Sequence, residues 1–188
     1  MAWHKSNPNF DDIQKVHSEL VKMENDYWST DVLFSIQWWV LLVILIVPWL
    51  LWVRYVDRKR IQQILLFGVL LIVLVGILDE LGVNLNLWSY PYKLTYLVTK
   101  LTAIDYGIII VIHMFIYQYS KDWKSFLIRN AIFAAIFTFI CEPITVWLGI
   151  YQLDNWKHIY SFPIYILKAS FVKWIVDILL DKFSRKNS

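Results

Sequence analysis

Apolar residues run through the chain in five blocks. Each approaches the length a helix needs to cross a membrane, about 20 residues for a hydrocarbon core of roughly 30 Å. Val32 to Val53 and Ile61 to Leu81 are the plainest, and from Ile64 to Leu78 the second holds only apolar residues and glycine. A third block runs from Leu97 to Tyr119 and carries Lys100, Asp105 and His113. A fourth, Asn130 to Leu148, carries Glu142, and a fifth, Phe162 to Leu180, carries Lys168, Lys173 and Asp177. Ahead of them Phe10, Ile13, Val16, Leu20, Met23 and Tyr27 recur at steps of three and four residues, the period of an amphipathic helix. The expected fold is therefore all-α, a polytopic five-helix transmembrane bundle with an N-terminal amphipathic helix. That helix is expected to lie on the outer interface or cap the bundle, with a lid over a pocket as the sharper alternative.

Lys and Arg collect on the cytoplasmic side of membrane spans. Arg54, Arg58, Lys59 and Arg60 follow the first block, Lys121, Lys124 and Arg129 separate the third from the fourth, and Lys182, Arg185 and Lys186 close the chain. The other side has an acidic arm, in which Lys5, Lys15 and Lys22 face Asp11, Asp12, Glu19, Glu24, Asp26 and Asp31, and connections carrying Lys93 and Lys157. The N-terminus is expected outside and the C-terminus in the cytoplasm. Residues 1–30 form an extracytoplasmic arm, 31–182 the five-span unit and 183–188 a cytoplasmic tail. The arm lacks the apolar core and small-residue cleavage site of a signal peptide.

Composition agrees with the pattern: 59% of the 188 residues are hydrophobic and only 18% charged, against roughly 45 to 50% apolar in soluble domains. A soluble enzyme and a disordered chain are both excluded as readings. The net charge of +3, with its basic residues scattered, gives no nucleic-acid surface. One cysteine, Cys141, forms neither an internal disulfide nor a paired-cysteine metal motif. No cofactor motif is present, and no metal site is expected. The tryptophans near the block ends, Trp38, Trp39, Trp49, Trp52, Trp123, Trp147 and Trp156, read as interfacial belt residues. Pro48 and Pro143 lie inside helical runs and are expected to bend them.

Candidate chemistry lies in the polar groups at membrane depth, which face a bundle interior or a wet cavity and are functional candidates by default. Asp79 and Glu80 fall near the outer end of block two, and Asp105, Glu142 and Lys168 lie in the outer halves of blocks three, four and five. Lys173 and His113 lie lower. As a structural feature the group is a buried ionic lock, in which Lys168 or Lys173 neutralises Glu142 or Asp105. Four acids against two lysines leave negative charge in excess, so at least one carboxyl is expected to hold a proton, as proton-transfer chemistry uses. Cation binding by the oxygens is a further alternative, without calcium-loop spacing to support it. His113 reads first as a hydrogen-bonded bundle residue. The two outer connections, Asn84 to Tyr92 and Tyr151 to Pro163, mix aromatics with amides and read as interfacial anchors or as the roof of an aromatic pocket. From these, Glu142 and Asp105 are the candidate catalytic acids. Asp79, Glu80, Trp88, Tyr90, His113, Trp156, Tyr160, Lys168 and Lys173 are the candidate binding residues.

Five motifs, Leu78-Asp79-Glu80-Leu81-Gly82, Leu87-Trp88-Ser89-Tyr90-Pro91, Tyr117-Gln118-Tyr119 ahead of Trp123-Lys124, Glu142-Pro143, and the run from Asn155 to Tyr165, together resemble an uncharacterised family of small multi-pass integral membrane proteins of Bacillus- and Clostridium-type spore-forming bacteria. The resemblance extends from about residue 32 to 180. It implies a bacterial multi-pass membrane protein and no activity. The favoured functional expectation is a non-catalytic component, a lipid binder, partner subunit or envelope protein, whose partners are membrane lipids, a lipid-like ligand or a protein subunit. The alternative is a small membrane enzyme that begins a cyclase- or transferase-type reaction on a lipid or isoprenoid by proton donation from Glu142 or Asp105. A transporter ranks third, because five spans show no internal two-fold repeat.

Overall fold

The computed structural model describes residues 8–186, and side chains as far as Lys182. Residues 1–7 of the expected arm, and the side chains of the expected tail at 183–188, lie outside that description. The first helix, α1 (Phe10–Tyr27), is the predicted amphipathic one. Asn9 starts it through a reciprocal cap, accepting from the Asp12 amide at 2.8 Å while the Asp12 carboxylate accepts from the Asn9 amide at 3.2 Å. None of its residues is buried. It is tied to the rest of the chain by an ion pair between Glu24 and Lys93 at 3.6 Å, and just beyond its end by the Trp28 indole, which donates to the Lys93 carbonyl.

A π-turn (Trp28–Val32) and Phe34 in the left-handed region (φ 61°) end that arm. Ser35 then caps α2 (Ile36–Tyr55), which α3 (Ile61–Asn84) follows. Next come α4 (Ile104–Tyr119), α5 (Trp123–Trp147) and α6 (His158–Lys186). The two connections at one end of the bundle each contribute a two-residue strand, β1 (Trp88–Ser89) and β2 (Gln152–Leu153). These pair antiparallel, Trp88 opposite Leu153 and Ser89 opposite Gln152. This small ribbon is the one departure from an all-helical chain among the described residues, and its end of the bundle is called the ribbon end below.

Three helices, α2, α3 and α5, are long and apolar enough to cross a membrane. Helix α4 is apolar but shorter than the expected block, because the chain between Pro91 and Leu101 stays irregular. Indole donors satisfy part of that irregular backbone, Trp38 giving its N–H to the Leu94 carbonyl at 3.2 Å and Trp28 to that of Lys93. Helix α6 is 29 residues long and carries Lys168, Lys173, Asp177 and Asp181.

Helices α3 to α6 pack around a core in which Phe67, Leu71, Ile110, Met114 and Phe126 are fully buried. Helix α2 lies against α4 where Gly107 leaves no side chain in the way, since a Cβ there would stand 2.6 Å from the Ile44 carbonyl oxygen. Nearby, the Trp49 indole donates to the Tyr106 carbonyl at 2.8 Å. Tyr106 lies in a π-turn (Ile104–Ile109), a place where the regular carbonyl ladder is disturbed. Trp49 is thus a structural donor between helices, and Trp52, at 5% exposure, is a core residue. Neither is the simple belt residue expected. At the end opposite the ribbon, Gln118 of α4 accepts from the Asp57 amide and donates to the Tyr55 carbonyl, both at 3.0 Å. Arg60 donates to the Gln118 carbonyl at 3.1 Å, which closes the α2–α3 connection against α4.

Candidate functional site

Both π-turns inside the bundle lie beside an acid. Asp105 belongs to the one that opens α4, and Glu142 follows the one in α5 (Phe137–Cys141), immediately before Pro143. A π-turn holds one residue more than a regular helical turn and so re-aims the side chains around it, and such turns are frequent at functional sites. Pro143 stands just beyond that turn, at the start of the regular helical stretch, where a missing amide is best tolerated. Both acids face a cavity of about 100 Å³ at the ribbon end, enclosed by α3, α4, α5, α6 and the two connections.

Asp79 enters from α3, 6% exposed. Its Oδ1 accepts from the Trp88 indole at 2.9 Å and from the Tyr90 hydroxyl at 2.6 Å. Helix α3 can receive the Trp88 ring because Gly82 offers no Cβ, which would run directly into it. The ring also meets Trp156 of the second connection edge-on, with centroids 5.1 Å apart, and Tyr90 stacks on Tyr151 at 5.7 Å. Backbone bonds join the connections as well, the amides of Asp154 and Asn155 both donating to the Leu87 carbonyl at 3.0 Å. The aromatic roof is therefore a built structure. Burial pushes the Tyr90 and Tyr151 phenols above their ordinary range, and nearby carboxylates push them the same way. Both stay protonated, so Tyr90 remains a donor to Asp79.

Glu142 is satisfied from α6. His158 Nδ1 lies 2.9 Å from its Oε2, and the Tyr165 hydroxyl donates to its Oε1 at 3.1 Å. Lys168, 8% exposed, places its ammonium 4.0 Å above the Tyr165 ring. It has no carboxylate within 4.0 Å among the described residues, so the expected lock of Lys168 on Glu142 or Asp105 is not made. The physical reason is that His158 and Tyr165 already occupy the Glu142 oxygens and the Tyr165 ring holds the ammonium. Asp105 faces Asp79 closely enough for the two carboxyls to share a hydrogen bond, and their buried Oδ2 atoms have no other partner among the described residues.

Of the residues singled out in the sequence, Asp79, Asp105, Glu142, Trp88, Tyr90, Trp156 and Lys168 line this one cavity. Four others do not. Glu80 points out from α3 and bonds Asn84 and Thr99 at 2.9 Å, with Lys100 at 3.6 Å. Tyr160 packs on Trp156 and is 46% exposed. His113 lies two helical turns further into the bundle, its Nδ1 2.7 Å from the Ile109 carbonyl and its ring edge-on to Phe133. Lys173 is drawn to the opposite end, where it pairs with Asp177 at 2.8 Å and sits 4.7 Å from the Trp123 ring centre. The lid alternative for α1 also falls away, since no α1 residue lines the cavity. Sequence reasoning passed over His158, Ser161 and Tyr165. Their signal was present, because with Lys168 they recur at three- and four-residue steps along one face of α6.

The bundle and cavity define a mostly helical protein with at least three helices suited to a membrane and one buried acidic and aromatic site. Comparison with known protein families, curated proteins and solved structures finds no match to this chain.

Proposed function

We propose that this chain is a five-span integral protein of a bacterial cytoplasmic membrane, N-terminus outside, whose ribbon-end cavity opens toward the outer leaflet. There it holds the polar end of a lipid-like molecule without transforming it. The observation that carries the reading is the cavity, walled by tryptophan and tyrosine and lined by the buried, mutually facing carboxyls of Asp79 and Asp105 and by Lys168. A few polar groups set in an otherwise aromatic and apolar wall are what fixes the orientation of a polar-ended ligand in a pocket. A binding role gains further support from Glu142. Both its oxygens are engaged by His158 and Tyr165, which suits holding the site in shape better than giving up a proton to a substrate.

The test is solvent extraction of protein purified in mild detergent, with the lipid counted against the protein. One bound lipid per chain is expected, and a Thr145→Trp variant, which fills the cavity from α5, should lose it while still eluting as a single species. A chain that carries no lipid, or a variant that retains it fully, overturns the reading.

A further inference from the structure

Asp105 stands between two partners of opposite charge. On the α3 side it faces Asp79 closely enough for the two carboxyls to share a hydrogen bond, and that bond needs one proton, because two carboxylates side by side repel. Asp79 Oδ1 already accepts from the Trp88 indole at 2.9 Å and from the Tyr90 hydroxyl at 2.6 Å, whereas Asp105 Oδ2 meets no other partner among the described residues. A carboxylate that accepts two bonds is set to accept a third, so the shared proton belongs to Asp105. On the α6 side Asp105 faces Lys168. The buried Lys168 ammonium rests 4.0 Å from the Tyr165 ring centre and has no carboxylate within 4.0 Å among the described residues. It gains from a carboxylate beside it, and Asp105 supplies one only after losing its proton.

The other titratable groups around Asp105 are committed elsewhere. Lys100 is paired with Glu80 at 3.6 Å, and Glu142 of α5 is engaged by His158 and Tyr165. The phenols of Tyr90 and Tyr151 stay protonated, and the Tyr106 hydroxyl, next to Asp105 on α4, lies against Gly76 of α3. Helix α2 packs on the same turn, but its titratable side chains, Arg54 and Tyr55, stand in its last turn. Resting on the reading of the cavity as a lipid site, we propose that Asp105 is a proton-operated switch governing that site. Protonated, it bonds Asp79; ionised, it turns to Lys168. The protonated state ties the opening turn of α4, through Asp79, to Trp88 and Tyr90 of the roof. The ionised state cuts that tie and commits to Asp105 an ammonium on the same cavity wall. Irregular chain from Pro91 to Leu101 leads into the turn, so re-aiming Asp105 disturbs no long helix before it. Lipid is therefore held while the proton is present and released as rising pH removes it.

Infrared spectroscopy of the full chain in detergent micelles follows the proton through the carbonyl stretch of protonated carboxyls, and solvent extraction at each pH counts the lipid. In the unaltered protein one such band should disappear as the pH is raised from neutral to alkaline, and lipid per chain should fall about tenfold with the same midpoint. Asp105→Asn should lack the band, and its lipid count should no longer vary with pH. Lys168→Met removes the partner of the ionised form and should move the midpoint up by about one pH unit. A band that survives in Asp105→Asn, or that Glu142→Gln removes instead, places the proton elsewhere and overturns the switch. A lipid count that stays level, or changes with a different midpoint, overturns its control of the site and leaves lipid binding intact. No lipid at any pH overturns the lipid reading, and the band still decides where the proton lies. The two midpoints are read on the unaltered protein, so the comparison does not depend on any variant folding.

Discussion

Glu142 is the residue whose partners were misjudged from the sequence and whose energetics change as a result. Its oxygens accept from Tyr165 and meet His158, so Glu142→Gln removes charge-assisted bonds and sets an amide N–H against one of those groups. The expected cost is about 1.5–3 kcal/mol, read by thermal unfolding in detergent. Asp154, whose exposed carboxylate accepts only from Gln152, serves as the comparison, and Asp154→Asn should stay within about 0.5 kcal/mol of the parent. Equal effects from the two would remove Glu142 from the centre of the site. Gly82 makes a sharper case, because a methyl group there strikes the Trp88 ring. Gly82→Ala should cost about 1–3 kcal/mol through overpacking. It should also red-shift tryptophan emission as Trp88 leaves Asp79, and an unchanged spectrum would show that the ring has room to yield.

Helices in this protein are aimed as much by their irregular turns as by their regular ones. The π-turn Phe137–Cys141 contains Phe139, which is half exposed, so deleting that residue removes no core side chain. The deletion takes out the one residue that the wide turn absorbs, so the ladder becomes regular while the helix beyond keeps its direction and Glu142 stays on the cavity. Helix content by circular dichroism and lipid retention should both be unchanged, and lost lipid would show that the wide turn itself, and not only the register it absorbs, shapes the site. Helix α1 offers a similar expectation. With no buried residue it adds nothing to the core, so Leu20→Ser should shift stability by less than about 0.5 kcal/mol. A larger loss would mean that its apolar stripe is covered by something in the purified particle.

At 16 residues by its bounds, α4 (Ile104–Tyr119) reaches about 24 Å at the helical rise, short of a bilayer core of roughly 30 Å. In the proposed five-span arrangement the irregular chain from Pro91 to Leu101 supplies the remaining depth, which membranes tolerate only where such backbone is covered by protein. Trp28 and Trp38 provide that cover. The five-span topology predicts that cysteines introduced at Thr99 and Lys121, in a Cys141→Ser background, react with a membrane-impermeant maleimide from opposite sides, Thr99 from outside. Labelling of both from one side would leave α4 as a helix that enters and returns, and would reverse every later span.

Much of this was readable along the chain because it depends on local pattern. The amphipathic period found α1, since a helix that buries none of its residues keeps its own register. Block length found α2, α3 and α5, because crossing apolar surroundings demands a run of apolar residues and nothing else. Depth along the helices put Asp79, Asp105, Glu142 and Lys168 at similar levels, and these do share a cavity. Which polar group meets which was not readable. Lys168 had several acids within reach by sequence distance, and folding gave Glu142 to His158 and Tyr165 while holding the lysine over an aromatic ring. Lys173 and His113 stand apart from the site by depth along their helices, and the π-turns shift side-chain direction by one residue without any mark in composition. Pairing between side chains distant along the chain depends on the angles and offsets of packed helices, and those arise only when all the helices come together.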